Sequence, residues 1–138
     1  MGNVWQTLGF FVIGRGEGTA TVGWTATEDY CFPSGSGPVV QGGLVTALLD
    51  AAMGGACWTA LDAGDEPAAF LTADLRVEFL RATRPGELRA VGTVVRRTRR
   101  VVFCAADLLD PDATVLASAR ATQLVLPADS GRSWPPGQ

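Results

Sequence analysis

The chain has 138 residues, 47% of them hydrophobic and 18% charged, which excludes an intrinsically disordered protein and gives enough material for one folded domain. Its formal charge at pH 7 is −3, so the total charge offers nothing to a nucleic-acid partner. Histidine is absent, which excludes Ser-His-Asp and Cys-His nucleophile systems, an Asp–His acid–base pair and histidine-ligated metal sites.

Residues 1–9 read as a short helix or lead-in, with no basic flank of the kind a secretory signal carries. Phe10 to Ile13 reads as a strand, Gly14 to Gly18 as a turn and Thr19 to Thr27 as a second strand, together a hairpin. Tyr30 to Pro38 holds two prolines amid serine and glycine, and is expected to be a loop.

Gly42 to Leu61 then reads as a helix that is apolar on nearly every side and therefore buried. It approaches membrane-span length, but four glycines and Asp50 within a domain-sized pattern argue for a core helix. Phe70 to Leu80 alternates, with Leu71, Ala73, Leu75, Val77 and Phe79 on one face. Pro85-Gly86 marks a turn before Glu87–Arg97 and Val101–Leu109, and Asp110 to Ala113 is a hairpin turn into Thr114–Leu126. The expected domain is 1–126, followed by a disordered tail over 127–138 rich in Pro, Gly and Ser.

The element order is β-β-α-β-β-β-β. A single helix without a polar face must be wrapped by the sheet, so the expected fold class is α+β, with an antiparallel sheet curled around a long central helix.

Asp50 is the ionisable residue of that helix, and a carboxylate among apolar side chains needs compensation or a function. Gly42-Gly43 at the helix start leaves backbone N–H groups pointing outward, a ready anion site. A catalytic acid beside an oxyanion donor is one reading; a satisfied buried acid and a plain helix-start turn is the other. Eight residues of helix separate Gly42 from Asp50 by roughly 12 Å, too far for both to serve one carbonyl. If both act, Asp50 must meet Gly42 of a second subunit across a two-fold axis.

All eleven basic residues are arginine, and Arg96, Arg97, Arg99 and Arg100 cluster around one strand turn. They form either a solvated hairpin or a phosphate-binding surface. Met53 and Trp58 on the helix read as core or pocket lining. Cys57 and Cys104 read as small core residues, and Cys31, Cys57 and Cys104 show no metal-ligand spacing.

The run Gln41-Gly42-Gly43-(six residues)-Asp50 resembles the HGG-(x)6-D segment of hotdog-fold acyl-CoA thioesterases of the phenylacetate-degradation (PaaI-like) type. Leu8-Gly9-Phe10 resembles the opening of that family, Leu71 to Arg81 its strand after the helix, and Arg99-Arg100, Asp110-Pro111-Asp112 and Val115-Leu116-Ala117 its last hairpin. The resemblance spans roughly residues 8–126. It implies a hotdog fold and hydrolysis of an acyl-CoA thioester by a homodimer or dimer of dimers, while the N-terminus and the core-like apolar run give the expectation of a cytoplasmic protein. No cofactor is implied beyond the coenzyme A of the substrate, and no metal, membrane or nucleic acid.

By the same resemblance Asp50 is the catalytic carboxylate and the Gly42 N–H polarises the thioester carbonyl. Thr72 helps position the attacking water, and Gln41 stands where the family usually has histidine. Gly43, Met53, Arg99 and Arg100 are the expected substrate contacts. Two alternatives stay open: a non-catalytic acyl-CoA-binding module, and a thioesterase acting on acyl groups borne by a carrier protein.

Overall fold

The computed structural model describes residues 3–61 and 69–126. A short helix α1 (Val4–Leu8) precedes strands β1 (Phe11–Gly16) and β2 (Thr19–Ala26). Two short strands, β3 (Cys31–Phe32) and β4 (Val39–Val40), lead into the long helix α2 (Gly42–Ala60), and β5 (Ala69–Phe79), β6 (Gly86–Arg97), β7 (Val101–Leu109) and β8 (Val115–Leu126) complete the chain. Six strands form one sheet in the order β1-β2-β6-β7-β8-β5, every neighbouring pair antiparallel. This is the expected α+β hotdog arrangement, an antiparallel sheet wrapped around a central helix.

Local chemistry explains the elements. Asn3 caps α1: its side chain accepts from the Gln6 N–H while the Gln6 side chain accepts from the Asn3 N–H. Gly9 ends α1 in the left-handed region at φ 85°. Trp24 in β2 pins this helix to the sheet, its indole N–H donating to the Leu8 carbonyl at 2.7 Å. The β7–β8 turn is held by Asp110, whose Oδ1 accepts from the N–H groups of Asp112 and Thr114, both at 2.9 Å.

Two expectations change at the N-terminal hairpin and the loop. β1 runs past Ile13 to Gly16, because its register with β2 shifts between Val12 and Gly14 and pairing resumes beyond the irregularity. The segment expected as a loop over 30–38 contains β3, which pairs with β4 just beyond it, Cys31 opposite Val40 and Phe32 opposite Val39. The proposed tail over 127–138 lies outside the described residues.

The core forms where α2 meets the sheet. Val45, Leu48, Leu49, Ala52, Met53, Ala56 and Cys57 are all buried on one side of the helix, against Val22, Trp24, Ala90, Val102 and Cys104 of the strands. Each larger aliphatic side chain so buried contributes roughly 1.5–3 kcal/mol. The contact is close at β6: a Cβ on Gly92 would collide with the backbone of Ala52 and Met53. By length and composition α2 could cross a membrane, but its apolar side chains are those of this core.

The helix is not buried all round, contrary to the sequence reading. Gly43, Ala47, Asp50, Ala51, Gly54, Gly55 and Trp58 follow the helical repeat along a side the sheet leaves partly open. Trp58 is 54% exposed. A helix with few polar residues gives no amphipathic signal, so its periodicity could not show which side faces away from the sheet.

Candidate active site

A cavity of about 610 Å³ opens along that uncovered side of α2. Asp50, Gly54 and Trp58 line one wall, Phe70 and Thr72 of β5 another, and Trp5 of α1 a third. The walls are largely apolar, with a carboxylate, a hydroxyl and the guanidinium of Arg15 among them. A concave apolar site with few polar groups suits a small organic group whose orientation those polar groups fix.

Asp50 is half-buried. Its Oδ1 accepts a hydrogen bond from the Thr72 hydroxyl at 3.0 Å, and Oδ2 has no hydrogen-bond partner among the described residues. The acid is therefore neither sealed in apolar surroundings nor fully satisfied by neighbours. One oxygen is held, the other has no such bond, and the residue lines the cavity, a disposition suited to a base or a nucleophile.

Thr72 owes its placement to an irregularity in β5, whose register with β8 shifts between Thr72 and Asp74. One extra residue there re-aims the side chains around it, as bulges beside reaction sites do. Opposite Thr72 in the ladder stands Gln123 of β8, whose Oε1 lies 3.0 Å from the Thr72 Oγ1.

Gly42 does not share this cavity. It opens α2 beside a separate cleft of about 430 Å³ lined by Val40, Phe79 and Thr83 among others. As the first helical residue, its N–H lies beyond the reach of the helix ladder. A Cβ there would stand 3.4 Å from the Phe79 ring. Gln41 is the N-cap residue: its carbonyl accepts from Leu44 and Val45, while its exposed side chain makes no capping bond. Gly43 is exposed, with open space where a Cβ would stand.

Thus of the candidate residues the fold brings Asp50 and Thr72 together, and sets Gln41, Gly42 and Gly43 at the far end of α2. Met53 is a correction. It is fully buried on the core side of α2 and lines neither cavity, because helical geometry turns it away from Asp50 and Gly54. Trp58 takes the lining role instead. Arg99 and Arg100 are exposed on the β6–β7 turn, and Arg97 donates to the Ala60 carbonyl at the end of α2. Arg15, which lines the cavity, was missed because β1 read as ending before it.

Cys57 and Cys104 are buried in the core as expected. The hydrogen bond between them, and then burial, pushes the Cys57 thiol up from its ordinary value. No group of three or more potential metal ligands occurs among the described residues.

The family model described as Thioesterase superfamily matches residues 37–117. A phenylacetic acid degradation-related protein from Ralstonia eutropha JMP134 is 30% identical, with 88% of this chain and 89% of that chain aligned at a TM-score of 0.76. The PaaI protein of the Escherichia coli phenylacetic acid degradation operon is 22% identical over 89% of this chain and 83% of its own, at a TM-score of 0.78. A thioesterase from Haemophilus influenzae reaches 0.81 at 20% identity, covering 94% and 86% of the two chains. No curated protein matches the chain significantly.

Proposed function

The chain belongs to the thioesterase superfamily, and from that premise we propose that it hydrolyses an acyl-CoA thioester at a site shared by two subunits. Asp50 draws a proton from water through its open oxygen, and the water oxygen attacks the thioester carbonyl. The Gly42 N–H of the second subunit receives the oxyanion, and collapse of the tetrahedral adduct expels the coenzyme A thiolate. Thr72 holds the Asp50 carboxylate, and Gln41 lies beside the oxyanion donor. The acyl group occupies the cavity along Gly54 and Trp58, while Arg99 and Arg100 offer forked donors to phosphates of coenzyme A.

The observation that carries this reading is the pairing of a half-open carboxylate with a 610 Å³ apolar cavity on the central helix. The two-subunit site is supported by the separation of Asp50 from Gly42 into different cavities. It is supported also by β5, an edge strand of the sheet that ends at Phe79 and is followed by Leu80, each 55% exposed. An unpaired edge bearing apolar side chains is suited to meet a second copy. Three free thiols fit a reducing, cytoplasmic setting.

The test is thiol release from a panel of short, long and aromatic acyl-CoA esters, wild type beside Asp50→Ala. Turnover lost in a folded Asp50→Ala protein is the expected result. Retained turnover in that variant would overturn the mechanism. Saturable binding of the esters without thiol release, for which Gln41 in place of histidine is the one favouring observation, would assign a binding module instead.

A further inference from the structure

Gln123 is the one polar side chain in the inward stripe of β8, which otherwise presents Ala117, Ala119 and Ala121 to the core. It is 0% exposed, and its Nε2 has no hydrogen-bond partner among the described residues. A buried amide left half-satisfied is costly, and calls for a reason.

Its one side-chain hydrogen-bond contact among the described residues supplies that reason. The Thr72 Oγ1 lies 3.0 Å from Gln123 Oε1 and 3.0 Å from Asp50 Oδ1. A hydroxyl has one proton, an ionised carboxylate accepts only, and an amide oxygen accepts only. Thr72 cannot donate to both. Half a turn of the Gln123 amide resolves the conflict, because Nε2 then donates to Thr72 Oγ1 and the Thr72 proton is committed to Asp50. Both contacts are then made.

We propose that Gln123 is a positioning residue, whose amide N–H holds Thr72 as an obligate donor to Asp50 and so aims the free carboxylate oxygen into the cavity. This deepens the thioesterase reading and rests on it for its catalytic consequence. It also reassigns Thr72, whose proton is spent on the carboxylate and is not available to the attacking water.

The relay is tested without substrate by the side-chain amide signals of Gln123 in ¹⁵N-labelled protein, assigned by their loss in Gln123→Met. Thr72→Val and Asp50→Asn are both expected to move them, and Thr72→Ser to leave them in place. In kinetics, Gln123→Met lowers kcat roughly tenfold, the scale of one hydrogen bond lost from the transition state, and leaves KM within about twofold. Thr72→Val combined with Gln123→Met costs no more than Thr72→Val alone. Gln123 signals indifferent to Thr72→Val, or a wild-type kcat in folded Gln123→Met, would overturn the proposal. A wild type that releases no thiol while the amide signals still respond to both variants would leave the relay standing and sink the thioesterase reading.

Discussion

At the scale of the residue, the site depends on how few polar groups the central helix carries. Asp50 faces an apolar cavity with one oxygen held by Thr72, and in a chain without histidine it is the group to which the proposed mechanism gives the acid–base work. Asp50 was legible in the sequence as an isolated charge among apolar neighbours. Gln123 was not, though it breaks an apolar alternation in much the same way. An amide carries no charge to draw attention, and its partner lies 51 residues away on another strand. The cysteines give an independent check of the same packing. Cys57 and Cys104 are buried and Cys31 is only partly so. A thiol-reactive dye should therefore modify Cys31 in the native protein and all three after unfolding. Fast native reaction of a second thiol would contradict the core described here.

At the scale of the element, α2 is shaped by what its glycines allow. Gly92 of β6 lets the sheet approach the backbone of Ala52, and a methyl there collides with it. Gly92→Ala should cost about 1–3 kcal/mol, the usual penalty of overpacking, measured by chemical denaturation; an unchanged midpoint would mean the helix sits farther from β6. Gly54 faces the cavity with Phe70 at 3.9 Å from the position of an added Cβ. Gly54→Val should reduce kcat/KM for an aromatic acyl-CoA roughly tenfold relative to acetyl-CoA, on the scale by which pockets sense added methyl groups. Equal effects on both esters would remove the acyl group from this cavity.

The elements themselves were largely legible. Alternation in β5 to β8, the Asp110–Ala113 turn and the apolar run of α2 all appear where expected, because each follows from local patterning. The extension of β1 and the β3–β4 pair were not, since pairing with a partner strand overrides weak local preference. Which side of α2 stays open was equally hidden. It is set by where the sheet stops, not by the helix's own residues, and the placement of Met53 went wrong for that reason.

At the scale of the whole molecule, the proposed site is divided along the chain. Asp50 and Thr72 lie in one cavity, while Gly42 lies in another at the far end of the same helix. The sequence foreshadowed this separation through helical rise alone, but not the apolar β5 edge on which the proposal seats a second copy. Gly42→Pro provides the complementary lesion. Proline is tolerated at the first helical position and removes the N–H in question, so the rate should fall on the order of 100- to 1000-fold with the fold retained.

The most direct test of the shared site joins the two lesions. Asp50→Ala and Gly42→Pro proteins, each inactive alone, are unfolded together, refolded as a mixture and assayed for thiol release. In a two-fold dimer, half of the random pairs are mixed, and each mixed pair holds one site with both groups intact. Recovery of about a quarter of the wild-type rate is the predicted result. A mixture as inactive as its components would contradict a site built from two subunits.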